Sequence, residues 1–283
     1  MNQNLPFIKT AKEVKSLIED GASLRLIDCR TKLGDPSDGL RRYEESHLPN
    51  AAYLDLEGDL TGEKGEHGGR HPLPTPEALG EMFSRLGIDQ ETMVVAYDDE
   101  GGAFASRLWW MLSYVGHENV YILNGGFKEW MENGFPVTKE IPVFTRKDFS
   151  VNVQPHMTIS KEEVVAASLN DAILIDSREL ARYQGISEPV DKKAGRIPGA
   201  VHGFWKENLD ESGMWKDEHR LRERFADLHF DEEIIVYCGS GVTACPNILA
   251  LKGLGYQNVK LYPGSWSDWI TYPDAPIEKE PQS

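Results

Sequence analysis

The chain repeats itself. LRLIDCR, Leu24 to Arg30, returns 148 residues later as AILIDSR, Ala172 to Arg178, and HLPNAA, His47 to Ala52, returns as RIPGAV, Arg196 to Val201. A longer block from Met93, MVVAYDDEGGAFASRLWWMLSYVGHENVYIL, pairs with IIVYCGSGVTACPNILALKGLGYQNVKLY from Ile234. LNGGFKEW pairs with YPGSWSDW at the close of each copy. Short apolar matches arise by chance, but four in the same order mean that one fold is written twice. The 283 residues suffice for two cores of ordinary size. The expected division is residues 1–138 and 157–283, with 139–156 as a linker that shows no helical period and is expected to lie along both domains rather than hang free.

Each copy alternates short β-branched runs with helical patterns, the signature of a parallel sheet covered by helices. Leu24 to Ile27, Ala51 to Leu54, Met93 to Tyr97 and Val120 to Leu123 are the expected strands of the first copy. Ile173 to Ile175, Ala200 to His202, Ile234 to Tyr237 and Val259 to Tyr262 repeat them. Thr75 followed by Pro76 predicts a capped helix through Arg85, and Ser160 predicts another through Ala167. The fold class is α/β: two tandem domains, each a mostly parallel sheet flanked by helices.

Charge narrows the partners. With 46 acidic against 30 basic residues the net charge is −16, which repels phosphate backbones and anionic bilayers. Neither nucleic acid nor membrane is an expected partner, and an anionic substrate needs local basic groups. The apolar runs are strand-sized, and the first residues lack the basic flank and apolar block of a signal peptide, so a cytoplasmic location is expected. Three cysteines, Cys29, Cys238 and Cys245, are no disulfide framework and no metal set. Thiol chemistry or packing remains.

The segment YCGSGVTAC, Tyr237 to Cys245, stands between a β-branched strand and an apolar helical pattern beginning near Val242. That places Cys238 at the carboxyl edge of the sheet, where ligands of open α/β sheets bind. Gly239 and Gly241 let the chain curl so that the amides of Ser240 through Thr243 face one small volume, and those amides with the following helix favour negative charge. The loop thus suits a cysteine thiolate, which should ionise more readily than usual, or the persulfide made from it. The first copy has Asp98 where the second has Cys238, followed by Asp99-Glu100-Gly101-Gly102. An aspartate cannot carry transferable sulfur, so only the C-terminal copy is expected to be active, with the N-terminal copy supplying a wall of the cleft.

These landmarks resemble the tandem rhodanese family, the thiosulfate and 3-mercaptopyruvate sulfurtransferases: CGSGVTA from Cys238, DSR at Asp176, RYQG at Arg182, GRIPGA from Gly195 and PGSWSDW from Pro263. The resemblance spans nearly the whole chain. It implies an inactive first domain, catalysis through a Cys238 persulfide, and no cofactor. The donor is a small sulfur-bearing anion, and the acceptor is a thiol such as thioredoxin or a low-molecular-weight thiol, or cyanide. Cys238, Ser240 and Thr243 are the expected catalytic residues, Thr243 serving equally as a helix cap. Arg182, Gly239, Gly241, Val242 and His71 are the expected substrate-binding residues, with Glu57 as a further acidic candidate beside His71.

Where mercaptopyruvate enzymes of this family carry a second arginine after Glu-Pro, Glu188-Pro189 is followed here by Val190, so that anchor is either missing or replaced by a neighbour such as Lys192, Lys193 or Arg196. Thiosulfate enzymes commonly carry basic side chains in the loop, and this loop has none, which favours 3-mercaptopyruvate as donor. A cysteine phosphatase of the same domain type needs an arginine at the sixth position after the cysteine, and Ala244 stands there. A non-catalytic persulfide sensor is the other reading. Cys245 is placed for packing or for a protective disulfide, Cys29 is expected to be inert, and Trp266 and Trp269 are expected scaffolding.

Overall fold

In the computed structural model, which describes residues 5–168 and 170–280, the β-branched runs of both copies become parallel strands. The chain forms two units. The first comprises residues 1–61, 74–154 and 209–217; the second comprises 62–73, 155–208 and 218–283. Each half of the sequence therefore contributes a short arm to the unit built mainly from the other half.

Unit 1 opens with β1 (Ile8–Lys9), α1 (Ala11–Glu19), β2 (Leu24–Asp28), α2 (Asp38–Glu45) and β3 (Ala51–Tyr53). It continues with α3 (Pro76–Arg85), β4 (Met93–Tyr97), α4 (Ala103–Tyr114), β5 (Val120–Leu123) and α5 (Gly126–Glu132). Its strand order is β1-β5-β4-β2-β3, with every pair parallel. The central strand β4 is covered on both faces, which is why Val94 to Tyr97 is a continuous apolar run rather than an alternating one. Thr75 Oγ accepts the Ala78 N–H at 3.2 Å and Pro76 occupies the first turn, as its sequence predicts. Trp109 and Trp110 on α4 are both buried.

Unit 2 contains α6 (Lys161–Ser168), β6 (Ile173–Asp176), α7 (Leu180–Tyr183), β7 (Val201–His202) and α8 (Glu218–Arg224). It closes with β8 (Ile234–Tyr237), α9 (Cys245–Gly253), β9 (Val259–Leu261) and α10 (Ser265–Trp269). The order β7-β6-β8-β9, again all parallel, reproduces β3-β2-β4-β5. Even the edge strand β1 has a trace here, a single parallel bridge between Thr158 and Leu261. Ser160 and Glu163 close a capping box at the start of α6.

The repeated motifs are explained by packing. Asp28 and Asp176 end equivalent strands, and each holds the arginine two residues on in a buried forked ion pair, with oxygen–nitrogen distances of 2.7 Å to Arg30 and 2.6 Å to Arg178. HLPN and RIPG are tight turns in which Leu48 and Ile197 each donate an N–H to a core tyrosine hydroxyl, Tyr97 and Tyr237, at 3.2 Å. Asn50 and Gly199 occupy the left-handed region at φ of 60° and 77°, which favours those residue types. The segment after Lys139 runs along unit 1: Phe149 donates its N–H to Ser84 Oγ at 3.1 Å, and Asn152 donates to the Val115 carbonyl at 2.9 Å. Unit 2 resumes at Pro155. Among the described residues no helix is long and apolar enough to cross a membrane.

Candidate active site

Strand β8 is wholly buried and delivers Cys238, 1% exposed, to the carboxyl edge of its sheet. The following helix starts at Cys245, later than the expected Val242, so six residues are left to curl. The near end of the loop is fastened to α10. Cys238 donates its N–H to Ser265 Oγ at 3.1 Å, its carbonyl accepts the Trp266 N–H at 3.0 Å, and the Gly239 carbonyl accepts the Ser267 N–H at 2.9 Å. Ser265 does this from a left-handed backbone, φ 55°, strained for a residue with a Cβ. Gly241 is forced by space: at φ 76°, a Cβ there would lie 2.3 Å from the Pro263 carbonyl oxygen. Among the described residues, the N–H groups of Ser240, Val242 and Thr243 donate to no protein acceptor. Such a loop provides donors for an anion.

The equivalent loop of unit 1 holds an anion already. The Asp98 carboxylate accepts four backbone N–H groups, from Glu100, Gly102, Phe104 and Ala105, at 2.8 to 2.9 Å. Burial still pushes its pKa up, although the four amides draw it down. The arm at residues 209–217 caps that loop, with Trp215 Nε1 3.1 Å from the point a Cβ on Gly102 would occupy.

Arg182 lies at the Cys238 loop. Its Nη2 and Nη1 are 3.3 and 3.5 Å from the point a Cβ on Gly239 would occupy, and Arg70 Nη2 is 2.9 Å from the same point. A run of alternating charges fixes this arrangement: Asp176, Arg178, Glu188, Arg182, Asp191, Arg70. Glu188 Oε2 takes Arg178 at 3.2 Å and both its oxygens take Arg182 Nε at 2.9 to 3.0 Å. Asp191 gives one oxygen to Arg182 Nη2, at 2.9 Å, and the other to Arg70 Nη1. Burial opposes the charge on Glu188, and the Arg182 fork with the Asp191 and Val190 N–H groups more than offsets it, so its carboxyl sits below the usual range. For Asp191 burial wins over Arg70 and Arg182, and its pKa is raised.

His71 Nδ1 shares a 2.7 Å hydrogen bond with Ser240 Oγ, both side chains being buried. The arm that carries it is pinned to α10: Gly68 donates its N–H to Asp268 Oδ1 at 2.7 Å, Arg70 donates its N–H to Ser267 Oγ at 3.0 Å, and His67 stacks on Tyr272. Close approach accounts for Gly69 in this arm, since a Cβ there would sit 2.4 Å from the Gly264 carbonyl oxygen.

Thr243 does not cap the helix: the cap position is Ala244, with no side-chain hydrogen bond. Val242 is buried beside it. Arg196, one expected replacement anchor, pairs with Glu278 and Glu280 and does not serve the loop, while Lys193 offers its carbonyl to Trp266 Nε1. Glu57 is exposed and belongs to unit 1. Cys245 donates to the Gly241 carbonyl at 3.4 Å from a fully buried position. Burial, with Asp98, Asp28 and Asp59, pushes the Cys29 thiol well up. Trp266 and Trp269 lie in the core of unit 2.

Arg70, Asp191 and Ser265 were not legible as site residues. For Ser265 a signal existed, because it stands where the first copy has Gly126, at a φ of 58°. Arg70 adjoins His71 in an arm without periodicity, and nothing local marks its target.

A family model described as "Rhodanese-like domain" matches residues 10–133 and again 160–272. The "Probable 3-mercaptopyruvate sulfurtransferase" of Pseudomonas aeruginosa is 38% identical over 95% of this chain and 96% of its own length. The "Putative thiosulfate sulfurtransferase SseB" of Mycobacterium tuberculosis is 34% identical over 95% of each. Among solved structures, SseA of Escherichia coli, described under the "Rhodanese" fold of "3-mercaptopyruvate sulfotransferases", aligns with a TM-score of 0.82 at 32% identity over 92% of this chain and 99% of that one.

Proposed function

The chain belongs to the rhodanese family of sulfurtransferases, and from that premise we propose that Cys238 takes the sulfur of 3-mercaptopyruvate as a persulfide and passes it to a thiol or to cyanide. The Cys238 thiolate attacks the donor sulfur. A sulfur–sulfur bond forms, the carbon–sulfur bond breaks, and its electron pair leaves as the enolate of pyruvate, which a proton then quenches. The free amides of Ser240, Val242 and Thr243 support the anionic sulfur, and Arg182 supports the donor carboxylate through Nη1, since Glu188 and Asp191 take its Nε and Nη2. An acceptor thiolate, of thioredoxin or a small thiol in a cytoplasmic setting, attacks the outer sulfur and restores Cys238.

The observation that carries the choice of donor is the hydrogen bond between His71 and Ser240, two residues beyond the cysteine. A carbon leaving group needs a proton, and a hydroxyl tied to an imidazole can deliver one. Sulfite, the leaving group from thiosulfate, departs with its electron pair and needs none. The test is kcat/KM for both donors in His71→Ala and the parent protein. Loss of about a hundredfold with 3-mercaptopyruvate and little change with thiosulfate is expected; equal losses would remove the support for the keto acid. A mass gain of one sulfur, removed by added thiol and absent in Cys238→Ser, checks the persulfide itself.

A further inference from the structure

We propose that Asp268 is a positioning residue for His71, held against Ser240 because Asp268 clasps the backbone of the arm that carries it, and that Tyr262 fixes the clasp. The part of His71 in donor cleavage rests on the function proposed above; the clasp itself rests on geometry.

Asp268 lies on α10 and is 4% exposed. Its Oδ1 accepts the Gly68 N–H at 2.7 Å, and its Oδ2 accepts the hydroxyl of Tyr262, also buried, at 2.5 Å. Among the described residues no basic side chain forms an ion pair with it. A buried carboxylate without a cation is costly, and what makes this one tolerable is a pair of neutral donors, one of them the main chain of the arm. Packing of the helix does not require such a group. The matching positions in unit 1 are Glu129, whose Oε1 accepts from Asn133 one turn on, and Leu123, which has no hydroxyl. The tyrosine–aspartate pair belongs to the copy whose loop His71 serves.

Gly68 stands three residues before His71, and the backbone between them follows α10 closely. Arg70 donates its N–H to Ser267 Oγ at 3.0 Å, and the Gly264 carbonyl oxygen lies where a Cβ on Gly69 would need room. Gly264 in turn leaves space for the clasp, since a Cβ there would lie 2.5 Å from Asp268 Oδ2. With alternate N–H groups of the arm fixed on Asp268 and Ser267, the chain enters His71 in one direction, and Nδ1 meets Ser240 Oγ at 2.7 Å. Such a bond weakens steeply with misalignment, and a displacement of about 1 Å at a reacting group can cost about a hundredfold in rate. The first N–H groups of α10 also hold the Cys238 and Gly239 carbonyls. One short helix thereby sets the arm and the nucleophile loop in register with each other.

The test is a double-mutant cycle read in kcat at saturating 3-mercaptopyruvate, joined to a readout that needs no turnover, the rate of tryptic cleavage after Arg70 relative to cleavage elsewhere in the native protein. Asp268→Ala is expected to lower kcat by about ten- to a hundredfold when His71 is present, and by no more than about twofold in His71→Ala protein, where no imidazole is left to misplace. Cleavage after Arg70 should quicken by about tenfold or more. Asp268→Asn keeps an acceptor for the Gly68 N–H and should restore most of both. Tyr262→Phe removes one hydroxyl and should move both by a smaller factor in the direction of the alanine variant; if Asp268→Ala does not fold, Tyr262→Phe carries the same cycle. Unchanged cleavage overturns the proposal, and so does a loss of kcat in Asp268→Ala that His71→Ala does not absorb. Faster cleavage in a protein whose His71→Ala variant keeps full turnover with 3-mercaptopyruvate upholds the clasp and overturns the reading of His71 instead.

Discussion

Asp98 and Cys238 end equivalent strands, and the loops that follow differ in what fills them. In unit 1 the Asp98 carboxylate occupies the amides of its own loop, and the next residue, Asp99, pairs with Arg42. In unit 2 the same two places are Cys238 and Gly239, and the arginine over Gly239 is Arg182. Arg42 and Arg182 correspond, because each precedes a tyrosine whose hydroxyl donates to a carbonyl at 2.8 Å, Tyr43 to Ala51 and Tyr183 to Ala200. On the proposed function both loops hold anions. One carries its own carboxylates, and on the proposed function the other leaves those places to a sulfur anion and to the donor's head.

The comparison can be tested by making the copies alike. Cys238→Asp should remove transfer by at least about a thousandfold while the protein stays folded, as the carboxylate finds the amides that Asp98 finds; measurable persulfide in that variant would mean sulfur is carried elsewhere. Gly239→Asp copies Asp99 and should occupy Arg182 and Arg70, raising KM for anionic donors by about ten- to a hundredfold. An unaltered KM would show that donors do not bind over Gly239. Asp98→Ala strips the acceptor from four amides and should cost about 2–3 kcal/mol in denaturant unfolding, leaving transfer rates alone. A slower enzyme would instead tie the first loop to the chemistry.

The smallest effect concerns pH. Burial lowers the pKa of His117 from the usual 6.5. Below pH 6.5 the unfolded chain then binds more protons than the folded one, so the stability owed to the neutral ring is present above that pH and lost as pH falls through the folded-state value. His117 aligns with Tyr256, a buried tyrosine whose hydroxyl donates to the Phe225 and Leu228 carbonyls. His117→Tyr should flatten the fall of melting temperature between neutral and mildly acid pH, and an unchanged slope would assign it to other groups.

The duplication made the repetition legible, because matched strand runs require one topology in both units, and the order β3-β2-β4-β5 of the first recurs as β7-β6-β8-β9 in the second. Strands β4, β5 and β8 fall where their apolar runs predict, since strands covered on both faces write themselves continuously. The arms were not legible. Residues 62–73 are glycine-rich, follow no period, and owe their place to bonds with Ser267 and Asp268 some two hundred positions away. Arg182 and His71 are legible through the family resemblance, whereas Asp191 draws its meaning from Arg70 and Arg182 together. Pairings of that kind exist only once the chain is folded.

The arm at residues 62–73 also bears on how separable the two halves of the gene are. A polypeptide starting after the connecting segment would keep Cys238, Ser240 and Arg182 but lack Arg70 and His71. The copy with Asp98 in place of the loop cysteine cannot be discarded by truncation, because residues 62–73 of it are written into its neighbour's fold, and inheritance must carry both together.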